Sequence, residues 1–332
     1  MDGYVFKDMK SSEYGALAPN LWQELFTMFE LDKIMRQRES KEFAQILNRL
    51  REGDHTPDDI VKLKERCISE NCRNYPIAVP YLFIQNSKVD EFNNRVHMAT
   101  TGDKYAIKAL DVVGANSAEL RDKIWKQIPL DPRKTMQLAF NLQLAEGERT
   151  EIAVNITDDG MTNGASNVIR KIQLHDRNRP TGIIWVQFDH TDVGKKTRQD
   201  NTRLYVEGIE CTWTPIKPVT AQFAVGKNRM AKVVRKQFPL RPAAAKTIHR
   251  SQGDTETNIV VNFNTRRAIQ QIHNVGLSRV TTIEGRYITD RCESKIAVNP
   301  AVKAQMQLLR TEARLKLSIS PIYSYETNLN TL

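Results

Sequence analysis

Within Thr247-Ile248-His249-Arg250-Ser251-Gln252-Gly253, small hydroxyls, an imidazole, an amide and a glycine share one turn-length stretch. Such a loop can lie against a backbone phosphate and hydrogen-bond a neighbouring nucleotide. By composition alone, an ordinary polar loop is the plainer reading. Farther on, Val275-Gly276-Leu277-Ser278-Arg279-Val280 ends a helix with an arginine set before a buried-looking strand. Arg279 is there either a structural, salt-bridged residue or a finger reaching across a cleft to a transferring phosphoryl group. Taken alone, the structural role comes first. A basic run leads into the first segment: Lys227, Arg229, Lys232, Arg235, Lys236, Arg241, Lys246 and Arg250 fall between Gly226 and Arg250 with no acid among them. A solvated basic face and a phosphate-tracking surface explain that run equally well.

The elements that must position these residues read as two textures. Asn20 can cap a helix carrying Leu21, Trp22, Leu25, Phe26 and Phe29, and a short extended piece spans Glu30 to Ile34. Phe43, Ile46, Leu47 and Leu50 mark an amphipathic helix closed by Gly53. Thr56-Pro57-Asp58-Asp59 starts another, with Ile60 and Leu63 on its buried side. Tyr81-Leu82-Phe83-Ile84 reads as a buried strand, followed by a helix capped at Ser87 with Val89, Phe92 and Val96 on one face. This alternation predicts an α/β layer with a largely parallel sheet. After about Pro129 the runs Thr150–Ile156, Val168–Ile172 and Ile183–Phe188 alternate with turns at Asp158-Asp159-Gly160 and Asn163-Gly164, which predicts a small inserted β-barrel. The α/β pattern returns with a strand at Ile259–Phe263, a helix over Arg266–His273, a strand at Arg286–Ile288 and a helix started by Asn299-Pro300 that carries Val302, Met306 and Leu309.

Composition bounds the class. With 332 residues, 40% hydrophobic and 27% charged, the chain can bury a real core, and no apolar run approaches the length of a membrane span. The N-terminal stretch is charged throughout and does not read as a secretory signal, so an address inside the cell is expected. Cys67, Cys72, Cys211 and Cys292 include one close pair but no second pair or histidine at zinc spacing, and idle thiols are the accepted reading. A net charge of +10 favours a polyanionic partner.

Together and in order, the two chemistry-bearing segments resemble the late motifs of Pif1-like superfamily 1B DNA helicases. They are TIHRSQGDT (247–255) and, after NIVVNF, NVGLSRVTTIEGRYI (274–288). Upstream blocks resemble the family as well. They are Phe29-Glu30-Leu31, Met35-Arg36-Gln37, Phe43 and Leu47 to Gly53; Asn86 to Val89 with Asn93; and Asn155 with Gly160 to Gly164. The resemblance covers about residues 15 to 300, and six ordered blocks make chance a poor explanation. It implies a RecA-like domain 2, the P-loop NTPase type of α/β fold, interrupted by an SH3-like 2B barrel. Its expected parts are a remnant at 1–20, domain 2A at 21–130 and 237–312, the barrel at 131–236 and a loose tail at 313–332.

The resemblance further implies a 5′–3′ DNA helicase part acting on single-stranded DNA. Arg36 and Arg279 would approach the γ-phosphate of ATP, held with Mg²⁺ by an N-terminal RecA-like half. Gln252 and Gly253 would couple nucleotide state to the DNA path. Thr247, His249 and Ser251 would touch the strand, with Asn86 nearby. Arg250, Lys232, Arg235 and Lys236 would add charge from the basic run, whose DNA-facing role now outweighs the solvated one. A nuclear address, or a mitochondrial one, and work in DNA repair, recombination or telomere maintenance would follow. Asn274, Ala244 and Asn167 depart from the family's usual tyrosine, aromatic and glycine, and Arg250 stands for lysine. The 241–246 variant is closer to the Helitron-associated branch.

Two parts of such a motor are not legible here. A phosphate-binding loop needs an upstream glycine, but Asp189 and Ala221 stand at that spacing from Gly194-Lys195-Lys196-Thr197 and Gly226-Lys227. No apolar strand ends in an acidic pair suited to Mg²⁺. The expectation is a helicase portion without its nucleotide half, inactive in ATP hydrolysis alone; the other reading is a non-catalytic DNA-binding remnant of a transposon helicase.

Overall fold

The computed structural model describes residues 4, 6, 20, 22, 25–31, 33–68, 76, 79–114, 117–156, 159–226, 231–289, 296–313 and 320–321. Leu21, Cys72, Asp158, Lys227, Arg229, Cys292 and most of the expected segments 1–20 and 313–332 lie outside them. The chain divides into two compact units, one made of Met1–Ile84 with Ser251–Leu332 and the other of Gln85–Arg250. The second is thus inserted into the first in sequence, with wider bounds than the 131–236 barrel expected above.

The first unit is built on parallel strands Tyr81–Phe83, Ile259–Asn262 and Arg286–Ile288, with Ile259–Asn262 pairing both of the others. Leu82, Ile259, Val260, Val261 and Ile288 are essentially fully buried, as continuous apolar runs in a parallel sheet must be. Helix Lys41–Glu52 buries Phe43, Ala44, Ile46, Leu47 and Leu50, each large side chain contributing about 1.5–3 kcal/mol. It ends at Gly53, whose φ of 78° closes the last turn. Helix Pro300–Glu312 starts as predicted, Asn299 Oδ1 accepting from the Ala301 and Val302 amides. The extended piece after Glu30 is the strand Lys33–Ile34, paired in parallel with Ser320–Pro321. Asn20 Oδ1 accepts the Trp22 amide, and Trp22 and Leu25 are helical, but Phe26 and Phe29 lie beyond the turn with Phe29 91% exposed.

Two local expectations shift. The helix predicted over Arg266–His273 is instead Ile272–Leu277. Gln271 adopts φ 63°, its amide is bonded to Ala297 O and its Nε2 to Arg51 O, so tertiary bonds override local propensity. The helix expected from Ser87 is Asn86–Ala99, beginning after Gln85 without a side-chain cap.

Helix Pro57–Lys64 forms the predicted capping box: Thr56 accepts from the Asp59 amide and Asp59 from the Thr56 amide. Asp59 also takes both Arg49 Nε at 2.7 Å and Nη2 at 2.5 Å. These bonds, Arg49 first, lower its carboxyl from 3.8 to about 2. The unfolded chain therefore binds this proton more readily than the folded one. The stabilisation is whole above about pH 4 and lost as pH falls toward about 2, roughly 2 kcal/mol in all. Asp59→Asn is expected to flatten the stability difference between pH 3 and pH 6 in urea titrations by about 1 kcal/mol, the half of that stabilisation lost by pH 3; an unchanged difference would refute the assignment.

Among its described residues the second unit holds three antiparallel sheets. Five strands run in the order Leu240–Pro242, Arg149–Ile152, Ser166–Gln173, Ile183–Phe188, Thr214–Ile216. Lys104–Lys108 pairs with Asn141–Ala145, and Ala231–Gln237 lies between Val219–Val225 and Leu110–Val113. Inward residues of the first two sheets, among them Ile107, Leu144, Ile169, Ile184 and Val186, share one core with Phe238. A smaller core beneath the third contains Val113, Ile124, Phe223 and Val233.

Candidate nucleotide-contact and nucleic-acid interface

In the first unit the structure brings Arg36 and Arg279 to the same short stretches of backbone. Arg36 follows the Lys33–Ile34 strand in a turn. Its guanidinium donates to Thr255 Oγ1 at 2.9 Å, Ser278 O at 2.9 Å and Gly253 O at 3.5 Å. Arg279 follows the Ile272–Leu277 helix and is 7% exposed. It donates to Val275 O at 2.8 Å, Ser251 O at 3.2 Å and Ser278 Oγ at 2.7 Å. Burial, and then the neighbouring charge of Arg36, lower its guanidinium to about 10, with Asp254 acting the other way. Burial lowers Arg36 as well, again opposed by Asp254. Arg279 therefore remains charged at neutral pH, and the two cations repel.

Sequence reasoning missed the residue that fixes this pair. Gln37, 5% exposed, donates from Nε2 to Ser278 O at 3.3 Å and Val280 O at 2.7 Å, pinning the backbone on both sides of Arg279. The block Met35-Arg36-Gln37 contained it, but its partners lie far along the chain. Gly253 takes φ 103°, a conformation costly for any other residue, and nothing crowds its Cα. Gln252 and Gly253 are exposed, whereas Ser251 is 1% exposed and gives its carbonyl to Arg279. The hydroxyl expected at a nucleic-acid strand is thus on a buried residue.

In the second unit Thr247 is buried as well, and its carbonyl and hydroxyl both accept from the Arg250 amide. His249, Arg250 and Asn86 are exposed. Asn93 fixes the approach to this loop by making two bonds with one residue, Nδ2 to Ala245 O at 3.1 Å and Ala245 N to Oδ1 at 2.8 Å. Lys232 is exposed and Lys236 half-buried, but Arg235 is turned inward between them. Its guanidinium makes paired 2.7 Å bonds to Asp111 and donates to Thr135 Oγ1 and Leu138 O. Arg235, expected at DNA, is a core residue: strand alternation sends every second side chain inward, and Asp111 neutralises it there.

The lookalike Gly194-Lys195-Lys196-Thr197 precedes and opens a six-residue helix, Lys195–Asp200. The Asp159 carboxylate already accepts the Lys196 amide at 3.0 Å and the Thr197 amide at 2.7 Å. Backbone donors that a phosphate would require are therefore occupied by a residue of like charge. Among the described residues no group of three or more His, Cys, Asp or Glu could hold a metal ion, and no helix is long and apolar enough to cross a membrane. The Cys67 and Cys211 side chains are exposed.

This mixed parallel and antiparallel α/β fold is similar to that of solved Pif1 helicases. The Candida albicans Pif1 helicase matches with a TM-score of 0.64 and 20% identity over 87% of this chain and 62% of its own. A Bacteroides Pif1 helicase in complex with ADP-AlF3 and single-stranded DNA matches with a TM-score of 0.59 and 20% identity, covering 86% and 57%. In sequence, the ATP-dependent DNA helicase PIF1 of Xenopus laevis is 23% identical over 291 residues, which is 86% of this chain and 39% of that protein. No family model matches. The chain is Pif1-like in sequence and fold, and spans about two fifths of the curated relative it matches.

Proposed function

We propose that this chain is the C-terminal part of an ATP-dependent 5′–3′ DNA helicase of Pif1 type, binding single-stranded DNA and supplying Arg36 and Arg279 to ATP held by an N-terminal RecA-like half. The observation that carries the reading is the convergence of these two guanidiniums on the Ser251–Thr255 and Ser278 segments, where every bond described for them goes to a neutral oxygen. Such bonds exchange more cheaply than carboxylate pairs, so the arginines can be redirected to a phosphate. The donor set fits the terminal phosphate of ATP. It does not fit Mg²⁺, which belongs to the partner half.

When ATP is bound there, it supplies the phosphoryl group. Arg36 and Arg279 neutralise charge on it, and Gln37 keeps Arg279 aimed. Gln252 and Gly253, next to the Arg279-bonded carbonyl of Ser251, link that site to the strand-contacting segment at Thr247, His249 and Arg250. Asn86, Lys232 and Lys236 extend the strand contact, and the antiparallel sheets between Asn141 and Pro242 play the part of the SH3-like 2B element. A nuclear address accords with this activity.

The 332-residue chain alone is expected to show no DNA-stimulated ATP hydrolysis, and to show it when joined to a Pif1-type nucleotide domain. With Lys232, Lys236 and Arg250 on phosphates, binding to an oligothymidylate should weaken with salt with a log–log slope of about −2. Hydrolysis by the chain alone would overturn the division of labour. Salt-insensitive binding would overturn the interface, and binding without ATPase in the joined protein would favour a non-catalytic DNA-binding remnant.

A further inference from the structure

One carboxylate in the second unit stands where an anion of another kind would fit. Glu151, on strand Arg149–Ile152, has a side chain only 2% exposed. Directly across the ladder is Arg241, whose Nε donates to Glu151 Oε1 at 2.5 Å and whose Nη2 donates to Asn163 Oδ1 at 2.7 Å. Asn163 is itself set by its amide, which donates to Asn155 Oδ1 at 2.7 Å. Arg250, from the loop after Thr247, donates through Nη2 to that same Glu151 Oε1. Two guanidiniums therefore share one oxygen of one carboxylate, and this triad carries a net positive charge.

The two arginines are not equivalent. Arg241 is fixed by strand pairing and by Asn163, with a side chain 19% exposed. Arg250 has a side chain 37% exposed, about twice the fraction of Arg241, and its backbone is anchored through its amide to Thr247. A buried carboxylate deprived of every cation would be strongly destabilising, but one retained arginine removes that penalty. Arg241 thus makes the departure of Arg250 permissible. A phosphodiester offers guanidinium two oxygens in the geometry that a carboxylate offers.

We propose that Glu151 is a resident stand-in for a nucleic-acid backbone phosphate: it holds Arg250 when no strand is bound, and hands it to a phosphodiester when one arrives. Arg241 remains behind as the permanent counter-ion of Glu151. The proposal rests on the DNA-binding reading above and adds to it a site, a competitor and an order of exchange. Glu151 is in these terms a positioning residue, presetting the loop and lowering affinity for any ligand too weak to displace it.

The test is fluorescence anisotropy of a labelled oligothymidylate against the full 332-residue chain across a salt series, with thermal melts of each variant as a control on folding. Arg250→Ala, which leaves the Glu151–Arg241 pair intact, is expected to reduce the log–log salt slope by about 0.7, the contribution of one phosphate contact on a single strand. Glu151→Gln removes the competitor and is expected to tighten binding about fivefold at fixed salt. A merely structural Glu151 would give weaker binding instead. Should Glu151→Gln fail to fold, Glu151→Asp, which keeps a charge for Arg241 but shortens the reach toward Arg250, is expected to tighten binding in the same direction, and unchanged or weaker binding overturns the exchange. Binding by the wild type with an unchanged slope in Arg250→Ala overturns the exchange while leaving DNA binding intact. No binding by the wild type overturns both.

Discussion

Replacing Arg279 with alanine in the chain joined to its nucleotide domain is expected to slow ATP hydrolysis about 10³–10⁵-fold. Arg279 carries a charge retained at neutral pH, is anchored at Nε by Val275 O, and offers Nη1 and Nη2 through bonds to Ser251 O and Ser278 Oγ. Lysine has no fork with which to keep the Val275 bond while reaching a phosphate, so Arg279→Lys should recover little. The change should fall on kcat far more than on KM for ATP, and single-strand affinity should stay within a few-fold. Such a split separates charge stabilisation from loss of the loop, because a collapsed Ser251–Thr255 segment would impair DNA binding too. A fall in rate of less than tenfold would reassign Arg279 to the structural role that its segment alone first suggested.

The largest stability effect is expected at Arg235. Both Arg235 and Asp111 have fully buried side chains, and their two parallel 2.7 Å bonds neutralise each other inside the second unit. The guanidinium also lies 5.3 Å from the Phe223 ring centre and 5.5 Å from that of Phe140. Arg235→Met leaves Asp111 as an uncompensated buried charge and should cost about 3–5 kcal/mol, a large share of a typical domain's stability. Urea titration would show it as a lower midpoint. The double variant Arg235→Met with Asp111→Leu should recover most of the loss, since an apolar pair of similar volume replaces a desolvated ionic one. A single variant as stable as the wild type would mean that the pair is not closed off from water.

How much of this was legible in advance follows the range of the interactions. The Thr56 capping box, the Gly53 stop and the Asn299 start are each written within a few residues, and the sequence states them outright. The parallel runs Tyr81–Phe83 and Ile259–Asn262 are apolar on both faces and leave little choice. The basic stretch from Gly226 to Arg250 was harder because counting cations ignores direction. Applied to Ala231–Gln237, a period of two would have put Lys232 and Lys236 on one side and Arg235 on the other. Partners were beyond reach altogether: Glu151 meets Arg250, and Gln37 meets Val280, through bonds that only the folded chain creates. The single charged residue in the run Thr150–Ile156 was the one visible sign of Glu151. Gln271 shows the same limit in the backbone, its left-handed turn being set by Ala297 and Arg51.

The insertion of Gln85–Arg250 also bears on how the chain is made. Strand Tyr81–Phe83 leaves the ribosome before the whole of the second unit, and its neighbour Ile259–Asn262 follows only after that unit is complete. During that interval a buried-type apolar strand lacks this neighbour, the condition under which nascent chains aggregate. Gln85–Arg250 is contiguous and can fold on emergence, which shortens the flexible loop that the parallel sheet must later close. The inserted unit thereby acts as a timer in synthesis. Variants that destabilise it, Arg235→Met foremost, should lower the yield of the first unit although no residue of that unit has changed.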